Sequence, residues 1–264
     1  MSALPPRPDL ATPAPAEPPP APDRSRATWK WYEIVGVGLG ALLLGGIPAA
    51  IVYAAFNREP NPGAASGAVD FLATGVAELV TLAALVLWMR ARHPGWLRIV
   101  GLPKLRNVVR EIFIGTLAGL GLLFALGIIV STLAEPLFRA ATGHDVEPAD
   151  QIGGDIHGWG ALAFVTAVVV VAPVTEELLF RGLLFRSLRD RYGFVIGAVA
   201  SAAFFGLLHT GAGAVADVVL LQVSIGLLGV GLAGVYEWRK NLVANVAAHA
   251  TFNLVTVLAV FHLL

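Results

Sequence analysis

The chain of 264 residues has no cysteine. That excludes disulfides, palmitoyl thioesters, a thiol nucleophile and thiolate metal sites, so any bound metal has to be held by histidine and carboxylate. Charge is scarce as well: Asp, Glu, Lys and Arg make up 14% of the residues and balance to a net charge of zero. No basic patch is interleaved with aromatics, which excludes nucleic acid as a partner. What the chain has in excess is apolar side chain, 56% of residues with a mean hydropathy of +0.74. One soluble core of this length buries far less apolar surface. The composition is that of an integral membrane protein.

The first 22 residues carry nine prolines among Ala, Ser and a few charges, too little apolar area to offset chain entropy. Residues 1–28 therefore read as a disordered Pro/Ala-rich tail. It has no short apolar core followed by a small-residue cleavage site, so it is not a cleaved signal peptide and the first spanning helix serves as the anchor. Seven apolar stretches follow, over 32–56, 69–89, 112–134, 158–180, 194–210, 215–235 and 242–263. Each is near the roughly 20 residues needed to cross a bilayer. Sixteen of the eighteen Lys and Arg fall in the tail, the 90–110 loop, the 181–191 segment and the 239–240 turn, leaving Arg58 and Arg139 for the opposite side. Because Lys and Arg concentrate in cytoplasmic loops, the N terminus is expected in the cytoplasm and the C terminus outside it. The expected fold is an all-α, polytopic transmembrane helical bundle of about seven spans. It sits multi-pass in the cell membrane with the lipid bilayer as its first partner. Trp31, Trp88, Trp159 and Trp238 lie near expected span ends, where amphipathic rings favour the headgroup level.

Against this background the stretch PVTEELLFRGLLF, 173–185, is out of place. Pro173 interrupts the fourth apolar run, and Thr175 can cap a fresh helical segment carrying Glu176, Glu177 and Arg181. Glu177 and Arg181 are four apart and share a helical face, whereas Glu176 points about 100° away from Glu177. One glutamate gains a cationic partner; the other is left for proton transfer. A plain ion-pair staple at a helix end is the alternative reading. Two further stretches bear on the choice. AAFFGLLHTGAG puts Phe205 and His209 four apart, and NVAAHATFN does the same for His249 and Asn253. Each polar group in lipid costs free energy unless it faces a polar interior, so together they read as a site. Glu with two His can activate water, either directly or around zinc with an open position, and Asn with the remaining His can donate to an oxyanion. Hydrolysis of a peptide bond in a membrane-associated protein or peptide uses all the parts. A proton-coupled membrane transporter, or a non-catalytic immunity or scaffold protein, would use the same groups differently.

EELLFR at 176–181, FGLLH at 205–209 and HATFN at 249–253 match, in order, the EExxxR, FxxxH and HxxxN motifs of the CPBP intramembrane proteases, the CAAX protease and bacteriocin-processing (Abi) family. The resemblance covers roughly 155–264, a catalytic core preceded by motif-free transmembrane helices over 29–154. It implies that Glu176 activates water, Glu177 pairs with Arg181, His209 assists Glu176, and His249 with Asn253 stabilises the oxyanion. The family is described both as metalloproteases and as glutamate proteases needing no metal. The resemblance therefore leaves open whether Glu176, His209 and His249 hold a divalent metal such as zinc.

Depth along the helices is the awkward point. Glu176 lies roughly 15 Å from Arg186 and His249 roughly 14 Å from Lys240, but His209 lies roughly 27 Å from Arg191. Either the 189–192 end projects beyond the membrane, or the fifth span tilts, or His209 is outside the site. Glu78, in the second span, is expected to make a structural hydrogen bond, although no partner is evident. Asp217 and Gln222 read as helix-end and packing polars, and the loop with His144, Asp145, Glu147, Asp150 and Asp155 as solvated.

Overall fold

The computed structural model describes residues 26–56, 67–143, 145–148, 159–211 and 213–260. Residues 1–25 of the expected tail, together with Arg58, His144, Asp150 and Asp155, lie outside them. Among the described residues every regular element is a helix. Helices α1 (Trp31–Phe56) and α2 (Gly67–Arg92) form an antiparallel pair, and the short α3 (Trp96–Ile99) follows. Helix α4 (Val108–Ile129) runs through a π-helical turn at Val130–Ala134 into α5 (Glu135–Thr142). The fourth helical rod is continuous from Trp159 to Tyr192: α6 (Trp159–Val165), a π segment Thr166–Val171, α7 (Ala172–Glu176), a π segment Glu177–Phe185, and α8 (Arg186–Tyr192). Helices α9 (Phe194–Leu207), α10 (Val215–Arg239) and α11 (Leu242–Val260) complete the bundle.

Six helices are long and apolar enough to cross a membrane, and α9, with 14 residues, is shorter. At a 1.5 Å rise it spans about 21 Å, less than the roughly 30 Å hydrocarbon core. The chain is thus a multi-pass helical bundle whose expected fifth span ends early. The last turn tightens, His209 N–H bonding the Gly206 carbonyl at 3.0 Å. The Gln222 amide then caps the carbonyls of Leu207 and His209 at 3.4 and 3.2 Å. Asp217, at the other end of that connection, accepts the Ala214 N–H at 2.9 Å, so both expected helix-end polars act as such. Large apolar side chains face outward along the spans, Leu43, Phe124 and Leu162 among them, as lipid rather than water requires.

The fourth rod departs from expectation. Thr175 does not cap a new helix: every junction residue from Val165 to Phe185 stays in the right-handed helical region. The Thr175 hydroxyl bonds back to the Val171 carbonyl at 3.1 Å. The missing N–H and the ring of Pro173 are absorbed by the wider π turns on either side, a feature found mostly at functional sites.

Helices α4 and α11 approach closely because Gly115 and Gly119, four apart, present no side chain to α11. A Cβ on Gly119 would fall on the backbone of Ala248, and one on Gly115 on the Ala244 carbonyl, the small-xxx-small geometry of membrane helix pairs. The start of α11 is set by Asn241, whose Oδ1 accepts the Ala244 N–H at 2.9 Å as an N-cap does. The Asn241 amide, with Arg239, donates to the buried Glu111 of α4 at 2.8 to 3.0 Å. Helix α11 is therefore held against α4 by backbone proximity and by a polar clamp at one end. Gly119→Ala is expected to lower the detergent melting temperature, overpacking costing about 1–3 kcal/mol. Gly121→Ala, where a Cβ meets nothing within 4 Å, should melt with the wild type; equal melting of the two variants would refute this account of the helix pair.

Candidate active site

Glu177 is fully buried in the second π segment, with the equally buried Arg181 one turn on. Arg181 Nη1 donates to Glu177 Oε1 at 2.9 Å and Nη2 to the Gly229 carbonyl of α10 at 3.3 Å. Its guanidinium carbon lies 4.2 Å from the Phe205 ring centroid, a cation–π contact strengthened by exclusion of water. Two more donors converge on the same carboxylate from α11: His249 Nδ1 on Oε1 at 2.8 Å, and the Asn245 amide on Oε2. Glu177 thus ties the fourth rod to α11 while its arginine ties it to α10 and α9.

The bond to Glu177 has a chemical consequence. A carboxylate oxygen already accepting from arginine can only accept a hydrogen bond from the imidazole, so Nδ1 of His249 carries the hydrogen and Nε2 is the lone-pair nitrogen. His209 is set up in the same way by a different partner: its Nδ1 lies 2.7 Å from the Phe205 carbonyl, which can only accept. Both imidazoles therefore turn Nε2 toward Glu176. His249 Nε2 is 3.7 Å from Glu176 Oε2, and His209 Nε2 is 3.9 Å from Glu176 Oε1. Each carboxylate oxygen faces one imidazole across a gap too long for a direct hydrogen bond, a length that one bridging molecule spans. Glu176 and His209 keep 18% and 21% side-chain exposure, against 0% for Glu177, so the site opens on the Glu176 side.

His209 reaches this depth because the fourth rod and α9 form a hairpin turning at Gly193, which has φ 86°. Seventeen residues separate Glu176 from Gly193 and sixteen separate Gly193 from His209, about 25 and 24 Å of helix. The long arm beyond Arg186 is matched by the arm leading to His209. The ring of Phe205, one turn before His209, sits edge-on to both imidazoles, with centroids at 4.7 and 5.8 Å.

One amide N–H of Asn253 donates to the Val168 carbonyl of the first π segment at 2.8 Å. Asn245 was not singled out in the sequence, yet it lies four residues before His249 on the same face, so the i, i+4, i+8 series Asn245, His249, Asn253 was readable in NVAAHATFN. Glu78 of α2 packs beside the site: the Thr175 hydroxyl, on the residue before Glu176, lies 3.4 Å from its backbone carbonyl. Its Oε2 remains buried without a hydrogen bond. In the acidic loop, Asp145 pairs with Arg139 on the surface.

Two imidazoles and a carboxylate are zinc donors in kind. Donors around tetrahedral zinc at 2.0–2.1 Å lie about 3.4 Å from one another; the nitrogen-to-oxygen separations of 3.7 and 3.9 Å are wider. Among the described residues no group of three His, Asp or Glu side chains is spaced to hold a metal. The ligand set expected from the sequence is thus assembled in kind but not closed.

In comparisons with known proteins, the family model described as type II CAAX prenyl endopeptidase Rce1-like matches residues 158–255. No curated protein and no solved structure matches the chain.

Because Glu177 is desolvated among three donors, removing its charge partner should be costly. Arg181→Met is expected to destabilise the protein by about 3–5 kcal/mol, leaving a buried carboxylate without a counter-charge. Detergent melting of the double variant Glu177→Gln/Arg181→Met should recover part of that loss. A single variant that melts like the wild type would show that the pair is not the anchor of the site.

Proposed function

The chain belongs to the CPBP family through residues 158–255, and on that footing we propose that it is an intramembrane endopeptidase hydrolysing a peptide bond of a membrane-associated protein or peptide. The family supports a CAAX-type protease embedded in the bilayer. The observation that carries the mechanism is the Glu176 carboxylate with an imidazole Nε2 facing each of its oxygens.

Water held between these groups gives a proton to Glu176 while its oxygen adds to the carbonyl carbon of the scissile peptide bond. The negative charge then gathering on the carbonyl oxygen needs donors. Asn253 has a second amide N–H to give beyond the one on Val168, and an imidazole that enters the cycle already protonated at Nε2 from solvent would be another. Breakage of the C–N bond follows as Glu176 returns its proton to the departing nitrogen. Glu177 touches none of the reacting atoms in this scheme. It is a positioning residue that fixes the His249 tautomer and, through Arg181 and Asn245, the mutual placement of the helices. No step of this scheme is routed through a metal.

Glu176→Gln should reduce cleavage of a membrane-anchored peptide by about 10²–10⁴-fold with an unchanged melting temperature, and Asn253→Ala by about 10². Cleavage by Glu176→Gln at the wild-type rate would remove the assignment.

Purified protein stripped by a chelator and verified free of zinc is expected to retain its activity. Loss of activity restored by zinc alone would show instead that Glu176, His209 and His249 close around the ion in the working enzyme.

A further inference from the structure

At the end of the molecule where α1 begins and α8 finishes lies a cavity of about 610 Å³ that takes no part in the chemistry above. It is lined by the segment Arg26–Tyr32 on one side and by α8 residues Ser187 to Tyr192 on the other. The two walls are joined by the Ala27 N–H, which donates to Asp190 Oδ2 at 2.9 Å. Trp31 and Tyr192 are also the terminal residues of two candidate membrane spans. The cavity therefore sits where hydrocarbon gives way to headgroups.

Its charges are unbalanced. Arg26, Lys30 and Arg191 line it, and none of the three forms a salt bridge with another described residue. Lys30 and Arg191 are near enough for the charge of one to act on the other. Their side chains lie against aromatic rings, Lys30 at 5.6 Å from Tyr32 and Arg191 at 5.5 Å from Tyr192. The acids nearby are spoken for. Asp190 is shared by Arg186 and Arg189 at 3.2 and 3.3 Å, and Glu33 accepts the Lys30 backbone N–H at 2.8 Å. The cavity is thus lined by three cations, of which Arg26 also donates to the Asp190 carbonyl, against one lining acid that is already paired.

A second feature continues it inward. An apolar groove runs along the same seam, starting at Ile34 and Leu184, the next residues in from Tyr32 and Ser187, and passing Gly38, Leu42 and Leu179. Gly38 lets the Leu179 side chain lie directly against α1 along the groove wall, since a Cβ there would meet it at 3.1 Å. A basic cavity at headgroup depth that leads into an apolar groove matches a molecule with a phosphate at one end and a hydrocarbon chain at the other.

We propose that this seam between α1 and the fourth rod binds an anionic phospholipid, its phosphate among Arg26, Lys30 and Arg191 and one acyl chain along the groove. Free phosphate would satisfy the cavity but not the groove, and a zwitterionic lipid would satisfy the groove but leave the cations under-neutralised. The site is independent of the proposed hydrolysis and is tested without measuring it.

The full chain in detergent would be titrated with phosphatidylglycerol, with phosphatidylcholine of the same acyl chains, and with glycerol phosphate, following melting temperature and retained lipid by native mass spectrometry. Phosphatidylglycerol is expected to bind at least about tenfold more tightly than phosphatidylcholine, and glycerol phosphate to leave the melting temperature unchanged. The variant Lys30→Gln/Arg191→Gln should bind both lipids alike while melting normally in phosphatidylcholine. Equal binding of the two lipids by the wild type would overturn the proposal, as would protection by glycerol phosphate equal to that by phosphatidylglycerol. So would an undiminished preference in the double variant. Should that variant fail to fold, the single variants Lys30→Gln and Arg191→Gln carry the same expectation with a smaller loss, and the wild-type comparison stands by itself.

Discussion

A single buried carboxylate organises the catalytic half of this molecule. Glu177 accepts from Arg181, His249 and Asn245, so it joins the fourth rod to α11, while Arg181 carries the connection onward to the Gly229 carbonyl and the Phe205 ring. Placing an ion pair in such surroundings is unfavourable unless nearly every lone pair is used. Here both carboxylate oxygens are engaged, while Arg181 Nε and Asn245 Oδ1 lack a partner. The arrangement yields little net stability beyond what an apolar packing would give. What it gains is specificity: these contacts fix the fourth rod, α9, α10 and α11 relative to one another, and that placement aims two imidazole nitrogens at Glu176.

The two adjacent glutamates thus differ in role because of direction. One faces inward, where its oxygens are consumed by fixed donors. The other, at the junction between α7 and the second π segment, faces the opening, and its nearest polar neighbours stand back by 3.7 and 3.9 Å. Pre-organised groups that do not satisfy one another in the resting state are the arrangement a catalytic site needs, since their hydrogen-bonding capacity is kept for the reacting atoms.

Much of this was legible in the one-dimensional pattern. The apolar runs located the spans, and four-residue spacing placed Glu177 with Arg181 and separated Glu176 from them. The order of the three motifs pointed to the family that residues 158–255 match. What could not be read depends on long-range geometry. His209 looked too deep because depth was counted from the nearest arginines; the turn at Gly193 sets it, and a chain in hand shows no sign of how far a helix projects past its charges. Thr175 resembled a cap because Pro173 normally interrupts a helix, yet π turns absorbed the proline without a break. Asn245 was missed although its spacing was visible, because an asparagine gains meaning only from the buried acid it faces. The shortness of α9 could not be read either, because the Gln222 amide that closes its last carbonyls comes from another helix.

The hairpin about Gly193 has a further consequence for how the protein can vary over time. Glu176 and His209 meet because two arms of nearly equal length are folded at one glycine. A single-residue insertion in either arm would shift the register by about 1.5 Å and swing the side chain beyond it by about 100°, enough to turn an imidazole from the carboxylate into lipid. Length changes in one arm are therefore tolerable only with a matching change in the other, or when the extra residue is taken up as another π turn. In lineages descending from a common ancestor, insertions should be excluded from this hairpin.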